Sequence, residues 1–451
     1  MTGGLGLGVG GLELSRQLDP YVSAFERLER ERGPADPAWL RALRRTAIET
    51  FGSLGFPGPR DEDWRFTNVG PIAETRFVAA ADGVARLTRQ RLGALGVWDI
   101  GPIQLVVVNG RYVRELSSAL PLPAGVRVGG LGDAIRAEPG PVGSHLGRYA
   151  SVEQHAFRAL NTSLVADGAF VEIRPNTVVE EPIHLVFVST TEAAPTFSHP
   201  RSLILVGENS QARIVETFLD LDDERYFTNA VSEIVAGPGA VVDHYRVQRE
   251  GPRAFHMGST CLHLGRSSSV TSHAVALGGE IARHDVVATL AAEGSECTLN
   301  GVYLAGGRAL VANHTEIDHA MPHCSSREVY KGILAGQARG VFNGKIRVRP
   351  DAQKTDAKQT NKTLLLSDEA QINTKPQLEI LANDVKCTHG ATVGQLNEEA
   401  LFYLRTRGIG LAEARNLLIR AFTGEVIERM ALASAREQVE RLIAARLAEL
   451  R

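Results

Sequence analysis

Cysteine is scarce in this 451-residue chain, which contains four cysteines, at positions 261, 297, 324 and 387. They are widely separated and form no C-x-x-C pair, so the sequence disfavours both a disulfide framework and a structural zinc site. Thiols in such a chain are most simply kept reduced. We therefore expect a cytoplasmic protein.

Long apolar runs and an excess of one charge are also missing. The longest apolar runs, such as IQLVVV from Ile103, fall far short of the ~20 residues that a membrane helix requires. The formal net charge is -3 with both signs interspersed, which gives no basic face for nucleic acid or anionic lipid. Residues 1–15, MTGGLGLGVGGLELS, lack the basic flank and continuous apolar segment of a secretory signal. We predict that they form a disordered leader.

Two common catalytic motifs are absent as well. The segment GVFNGKI resembles a phosphate-binding loop, but its glycines are too close and Ile346 stands where Ser or Thr should follow the lysine. No G-x-S-x-G elbow of a serine hydrolase is present. We therefore predict that this chain binds no nucleotide of the phosphate-loop class, so any ATP-driven step must belong to a partner.

What is present divides the chain into three regions behind the leader. Residues 16–165 have mainly helical periodicity, residues 166–396 consist of short β-branched runs, and residues 397–451 are helical again. Within the β-rich region a turn, a small residue and apolar alternation return about every 30 residues, as in GENSQARIV, GPGAVVD, GRSSSV and GSECTL. This repeat favours a β-solenoid over a sandwich or jelly roll, whose turns are closer and less alike.

Local signals predict two further elements in the first region. Asn109 and Gly110 lie between apolar runs and predict a two-residue hairpin turn. Ser151, with Gln154 reaching back to it, predicts the start of a helix that runs to about Leu164.

The last predicted helix carries one apolar stripe, formed by Val439, Leu442, Ile443, Leu447 and Leu450. Spacing alone leaves two interpretations open. The stripe either packs within the small helical domain or is a docking surface for another subunit.

One polar segment of the β-rich region, NHTEIDHAMPHC, gathers His314, His319, His323 and Cys324. These are metal-ligand residue types, and a metalloenzyme that uses the three histidines on a small molecule is one hypothesis. A strand, however, sends His314 to one face and His319 to the other. Only a bend near Pro322 would bring them together, so a polar face or a shared interface is the other interpretation.

A second candidate site is the Cys387-Thr388-His389 segment. In an extended strand Cys387 and His389 point to the same side, so the thiol and the imidazole can meet one metal or sulfur acceptor. A nearby imidazole can also lower the pKa of a thiol and favour the thiolate. The alternative is core filling, and two ligands alone cannot complete a tetrahedral site.

The run from His319 to Ile409, which includes SSREVYKGILAGQARGVFNGKIRVRPDAQKTDAKQTNKTLLLSDEAQINTKPQLEILANDVKCTHGATVG, resembles the core of the SufB/SufD family of iron-sulfur assembly scaffolds. Its KCTHGATVG ending is similar to the SufD branch, because SufB-type chains carry a Glu-His-Glu-Ala phrase there. DEDWRFTNV from Asp61 is similar to that branch too.

The resemblance implies a mainly β fold, a right-handed parallel β-helix between an N-terminal helical region and a C-terminal helical domain. It also implies a non-enzymatic scaffold that pairs with SufB through the β-helix, or with itself when alone, and that docks the SufC ATPase through its C-terminal helices in a SufBCD complex. A transient iron-sulfur cluster would be shared with SufB at Cys387 and His389. Leu442, Ile443 and Leu447 would then contact the ATPase, while His314, His319, His323 and Cys324 match less certain roles.

Overall fold

The computed structural model describes residues 9–81, 87–118, 121–137, 139–191, 194–221 and 223–450. Its helices are α1 (Val9–Glu31), α2 (Ala38–Leu54), α3 (Gly70–Glu74), α4 (Arg89–Ala94), α5 (Leu131–Ala137), α6 (Pro139–His145), α7 (Ala156–Ser163), α8 (Glu398–Thr406), α9 (Leu411–Ile427) and α10 (Ala433–Glu449). No helix among these residues is long and apolar enough to cross a membrane.

The strands fill the chain between the two helical regions. They are β1 (Val78–Ala79), β2 (Ile103–Val108), β3 (Arg111–Tyr112), β4 (Val126–Gly130), β5 (Gly168–Ile173), β6 (Ile183–Ser189), β7 (Thr196–Ser198), β8 (Arg201–Val206), β9 (Gln211–Asp220), β10 (Tyr226–Ala236), β11 (Val241–Gln248), β12 (Phe255–Leu264), β13 (Ser269–Ala276), β14 (Ile281–Leu290), β15 (Glu296–Ala305), β16 (Leu310–His319), β17 (Ser325–Leu334), β18 (Arg339–Val348), β19 (Asp356–Leu365), β20 (Gln371–Ile380) and β21 (Lys386–Gly394).

Successive strands from β8 to β21 alternate between two parallel sheets. The first sheet runs β8-β10-β12-β14-β16-β18-β20 and the second runs β9-β11-β13-β15-β17-β19-β21. Glu296 pairs with Ser325, and Ser325 pairs in turn with Asp356, so one coil takes about 30 residues. The predicted β-helix fold and the repeat on which it was based are therefore confirmed.

The space between the sheets, called here the lumen, is filled by alternate residues of every strand. Two glycine-tyrosine pairs show how tightly neighbouring coils fit. Gly301 pairs with Tyr330, and a Cβ added to Gly301 would lie 2.1 Å from the tyrosine ring. Tyr303 lies in the same way over Gly332 on the next coil. Each missing side chain therefore makes room for an aromatic ring.

The N-terminal helices cover the outer face of the first sheet. Tyr21 of α1, Phe51 of α2 and Phe157 of α7 join Phe227 and Phe255 of the sheet in one buried aromatic cluster. The large apolar area removed from water there stabilises the docking of this region on the β-helix.

Three local predictions have mixed outcomes. The Asn109-Gly110 hairpin is confirmed, because both residues have positive φ and β2 pairs with β3 in antiparallel fashion. The predicted helix start at Ser151 is wrong: α7 begins at Ala156, and the Nδ1 atom of His155 accepts the capping hydrogen bond at 3.3 Å. Residues 9–15 of the predicted disordered leader are helical in α1, and residues 1–8 lie outside the described residues.

The C-terminal helices lie on the outer face of the second sheet. Ile443 and Leu447 are 2% and 5% exposed and pack in one cluster with Val275 and Val302 of the sheet, while Leu442 is half-buried against the same cluster. The apolar stripe of α10 is therefore covered by its own chain. This corrects the expectation that these three leucine and isoleucine side chains form an exposed docking surface.

Candidate functional site

Cys387 lies on β21, the last strand of the second sheet. It pairs with Ala357 and is half-buried against a small apolar cluster that includes Ile346 and Val348 of the first sheet. Burial raises the pKa of the Cys387 thiol above its ordinary value. This direction is opposite to the lowering that a neighbouring imidazole can cause, so burial opposes the thiolate form of Cys387.

His389 lies two residues further along β21 and is exposed. It pairs with Gln359, a lumen residue of β19, and strand alternation places its side chain on the same face as that of Cys387. The predicted same-side arrangement is thus present, with the thiol partly sheltered and the imidazole open to a second molecule.

These two residues belong to the open end of the β-helix, which comprises β20 and β21. Among the described residues no strand pairs with the outer edge of either one. The end also carries three exposed apolar side chains, those of Ile380, Leu381 and Val393, with Leu381 exposed to 60%. Unpaired strand edges with exposed apolar side chains are a template for pairing with another chain.

The polar segment that contains His314, His319 and His323 does not form one site. His314 is buried on the outer face of the first sheet beneath the N-terminal region, whereas the His319 Nε2 atom lies 2.9 Å from Ser326 Oγ in the lumen. His323 is exposed in the turn that follows β16, with φ of 59°. The three-histidine arrangement considered for a metalloenzyme is therefore wrong, because strand alternation and the turn separate the rings.

The remaining member of that segment, Cys324, is an interior residue. Its sulfur lies 3.3 Å from Ser295 Oγ and 3.4 Å from the carbonyl oxygen of Ala292, and its side chain belongs to the main apolar cluster. Among the described residues, no three His, Cys, Asp or Glu side chains are grouped so that they could hold a metal ion. A complete metal site within the described part of the chain is thus not present.

The lumen also contains buried polar residues that were not predicted from the sequence. Glu216 accepts a hydrogen bond at 2.9 Å from Ser202 and lies 3.0 Å from His244 Nε2, and all three residues are buried between the sheets. Nearer the open end, Glu328 accepts a hydrogen bond at 2.7 Å from Gln359 Nε2. The polar residues at alternate strand positions were a signal, but the sequence does not say which face of a strand is the lumen.

Comparison with known proteins supplies the decisive observation. A family profile described as "SUF system FeS cluster assembly, SufBD core domain" matches residues 187–422, and one described as "SufBD protein N-terminal region" matches residues 16–185. The chain belongs to the SufBD family. It is accordingly an iron-sulfur cluster assembly protein of that family, which confirms the resemblance drawn from the sequence.

Relatives within the SufBD family match over almost the whole chain. A SufBD family iron-sulfur cluster assembly protein of Synechocystis is 34% identical over 95% of this chain and 96% of its own length. The iron-sulfur cluster assembly protein SufD of Escherichia coli is 31% identical, with 96% and 97% covered. The chloroplastic protein ABCI7 of Arabidopsis thaliana is 30% identical, with 95% and 88% covered. The SufBD family match therefore extends through both helical regions and the β-helix.

Proposed function

We propose that this chain is a non-enzymatic scaffold subunit that pairs with a SufB-type subunit through the open end of its β-helix. Cys387 and His389 would form this chain's half of a site where nascent iron-sulfur clusters are assembled. The observation that carries the proposal is the juxtaposition of both side chains with two unpaired strand edges. Pairing of those edges with a partner would place its ligands beside the thiol and the imidazole.

The ligand chemistry supports a shared, transient cluster. Thiolate and imidazole are soft or borderline ligands that suit the iron of an iron-sulfur cluster. Two ligands from one subunit leave coordination positions to be filled by the partner. A movement of the subunits relative to each other would then change the number of ligands, which favours release of the assembled cluster.

Hydrogen exchange tests the location of the partner interface. The outer backbone groups of β21 have no strand partner within the described part of the chain, so amides of residues 386–394 that point outward should exchange fast in the isolated chain. They should slow in the complex, because strand pairing satisfies them. β15 is paired on both sides in the free chain and provides the control, since its exchange should not change. Equally fast exchange of β21 in both states would contradict the interface.

Side-chain variants test the same interface from its apolar contacts. Leu381→Asp and Val393→Asp place a charge where the partner would bury an apolar group, and they should abolish co-purification with SufB. Val178 is 54% exposed at the other end of the β-helix, so Val178→Asp is the matched control and should co-purify normally. If all three variants behave alike, the open end is not the interface.

We also propose that the chain binds the SufC ATPase through its C-terminal helices, although not through the covered stripe of α10. The remaining apolar surface of this domain lies on α8 and α9, where the exposed side chains are Phe402, Tyr403, Leu411 and Leu417. Phe402 is 69% exposed, so the rest of the described chain leaves most of its ring uncovered. Large apolar side chains that remain exposed on two neighbouring helices are typical of a protein interface.

The docking surface can be tested separately from the β-helix. Phe402→Asp with Leu417→Asp should abolish ATPase capture, because the charges oppose burial of this surface, while SufB pairing stays intact. Retained ATPase capture would contradict the assignment.

The isolated chain should elute as a monomer or a homodimer. A homodimer that Leu381→Asp dissociates would show that two copies pair through the same open end of the β-helix.

A further inference from the structure

A buried carboxamide lies directly beneath the exposed imidazole of the candidate site. Gln359 is 2% exposed in the lumen and is the register partner of His389. Its Nε2 atom donates to Glu328 at 2.7 Å, whereas its Oε1 atom is buried without a hydrogen-bond partner among the described residues. A buried carbonyl oxygen without a donor costs free energy, so its surroundings should supply one.

Packing fixes the position of this carboxamide. Glu328 holds the nitrogen from the strand below, and a Cβ added to Gly344 on the facing sheet would lie 2.2 Å from the same nitrogen. The amide nitrogen therefore occupies the space that the glycine leaves, and the oxygen is the free end of the group. The next strand beyond it is β21, with His389 in register.

We propose that Gln359 is a positioning residue for His389: when the exposed imidazole turns toward the lumen, one of its nitrogens donates a hydrogen bond to the unpartnered oxygen of Gln359, while Glu328 holds the amide in place. The three residues lie on the neighbouring strands β17, β19 and β21 and follow one another in register. The inference rests on the proposed function only in that His389 is taken as a cluster ligand.

The chemistry explains why such a residue is useful. A neutral imidazole has one protonated nitrogen and one with a free lone pair. A hydrogen-bond partner determines which of the two nitrogens carries the hydrogen. The Gln359 oxygen can only accept, so the nitrogen that faces it must carry the hydrogen. The lone pair of the other nitrogen then faces the open end, where iron would bind. Partners of this kind orient histidine ligands and raise their basicity.

Chemical modification of the isolated full-length chain tests the hydrogen bond without any cluster or partner. Diethyl pyrocarbonate reacts with the free lone pair of an imidazole, and peptide mass spectrometry gives a rate for each histidine. His323, which is also exposed, serves as the internal reference. Gln359→Met should slow modification of His389 about two- to tenfold relative to His323, the factor that one hydrogen bond provides.

Two further variants separate positioning from a general disturbance of the lumen. Asn361 is the next lumen residue on β19 and is also buried, so Asn361→Leu is the matched control and should leave the His389 rate unchanged. Exchanging the pair, Glu328→Gln with Gln359→Glu, keeps both hydrogen bonds, restores an acceptor at position 359 and should restore the rate. It also serves as the decisive variant if Gln359→Met does not fold.

In the SufB complex, Gln359→Met should lower cluster yield about 10-fold, as loss of a ligand's hydrogen-bond partner typically does. An unchanged His389 modification rate in Gln359→Met, or an equal fall in Asn361→Leu, would overturn the inference. The modification rates are measured without partner or cluster, so the predicted change in rate can be absent while the proposed function holds. Normal cluster yield after His389→Ala would instead contradict the proposed function.

Discussion

Replacing Glu328 by glutamine should remove a pH dependence from the stability of the β-helix. The carboxyl group lies in the lumen, where burial raises its pKa from the ordinary 4.5 to about 7, and a hydrogen bond from Gln359 opposes the rise in part. In the unfolded chain the group returns to its ordinary pKa. Between these two values the folded chain binds more protons than the unfolded chain, so stability falls as the pH rises.

The size of the effect follows from the gap between the two pKa values. The stabilising contribution is fully present below pH 4.5 and is lost as the pH rises through about 7. The loss amounts to about 3 kcal/mol, because each pKa unit corresponds to roughly 1.4 kcal/mol. Cys297 and Tyr330, which flank the carboxyl group, do not contribute in this range, since burial raises the pKa of both groups, that of Cys297 to about 12.

Urea unfolding followed by circular dichroism at several pH values measures the effect. The difference in unfolding free energy between Glu328→Gln and the natural chain should change by about 3 kcal/mol in favour of the variant between pH 4.5 and 8. Glu425 is a control of opposite sign, because a hydrogen bond from Lys331 lowers its pKa, so its stabilising contribution is lost as the pH falls. Parallel curves for Glu328→Gln and the natural chain would refute the reasoning.

Three further changes have defined outcomes. Ile443→Ala should lower the unfolding free energy by about 2–5 kcal/mol, measured by urea unfolding, while the folded fraction still captures the ATPase. Gly301→Ala should lower the melting temperature because its Cβ would meet the Tyr330 ring, whereas Gly390→Ala should not, because its Cβ would meet no described atom within 4 Å. Cys387→Ser should reduce cluster absorbance at unchanged complex yield, because a hydroxyl oxygen is a poorer ligand than a thiolate sulfur for the iron of an iron-sulfur cluster.

The β-helix was predictable because its information is local and repeated. Every coil presents a turn, a small residue and alternating apolar positions, and in-register pairs such as Glu296 with Ser325 follow once the repeat is recognised. The same-side placement of Cys387 and His389 was predictable for a similar reason, since it requires only that the segment is a strand.

Features that depend on distant contacts were not predictable. Periodicity identified the apolar stripe of α10, but only the structure shows that Val275 and Val302 cover it. The capping signal at Ser151 was overridden because α7 begins where its buried residues meet the first sheet, and His155 caps it there. The pairing of Gln359 with Glu328 likewise depends on the register between coils.

Cluster absorbance per complex, measured at matched complex yield, tests the central claim most directly. The chain would be co-expressed with SufB and SufC, and the purified complex reconstituted anaerobically with iron and sulfide. His389→Ala should assemble normally but lose most of the absorbance, whereas His323→Ala, which removes an exposed imidazole from a turn far along the chain, should retain it. Full absorbance in the double variant Cys387→Ser, His389→Ala would show that this pair takes no part in cluster assembly.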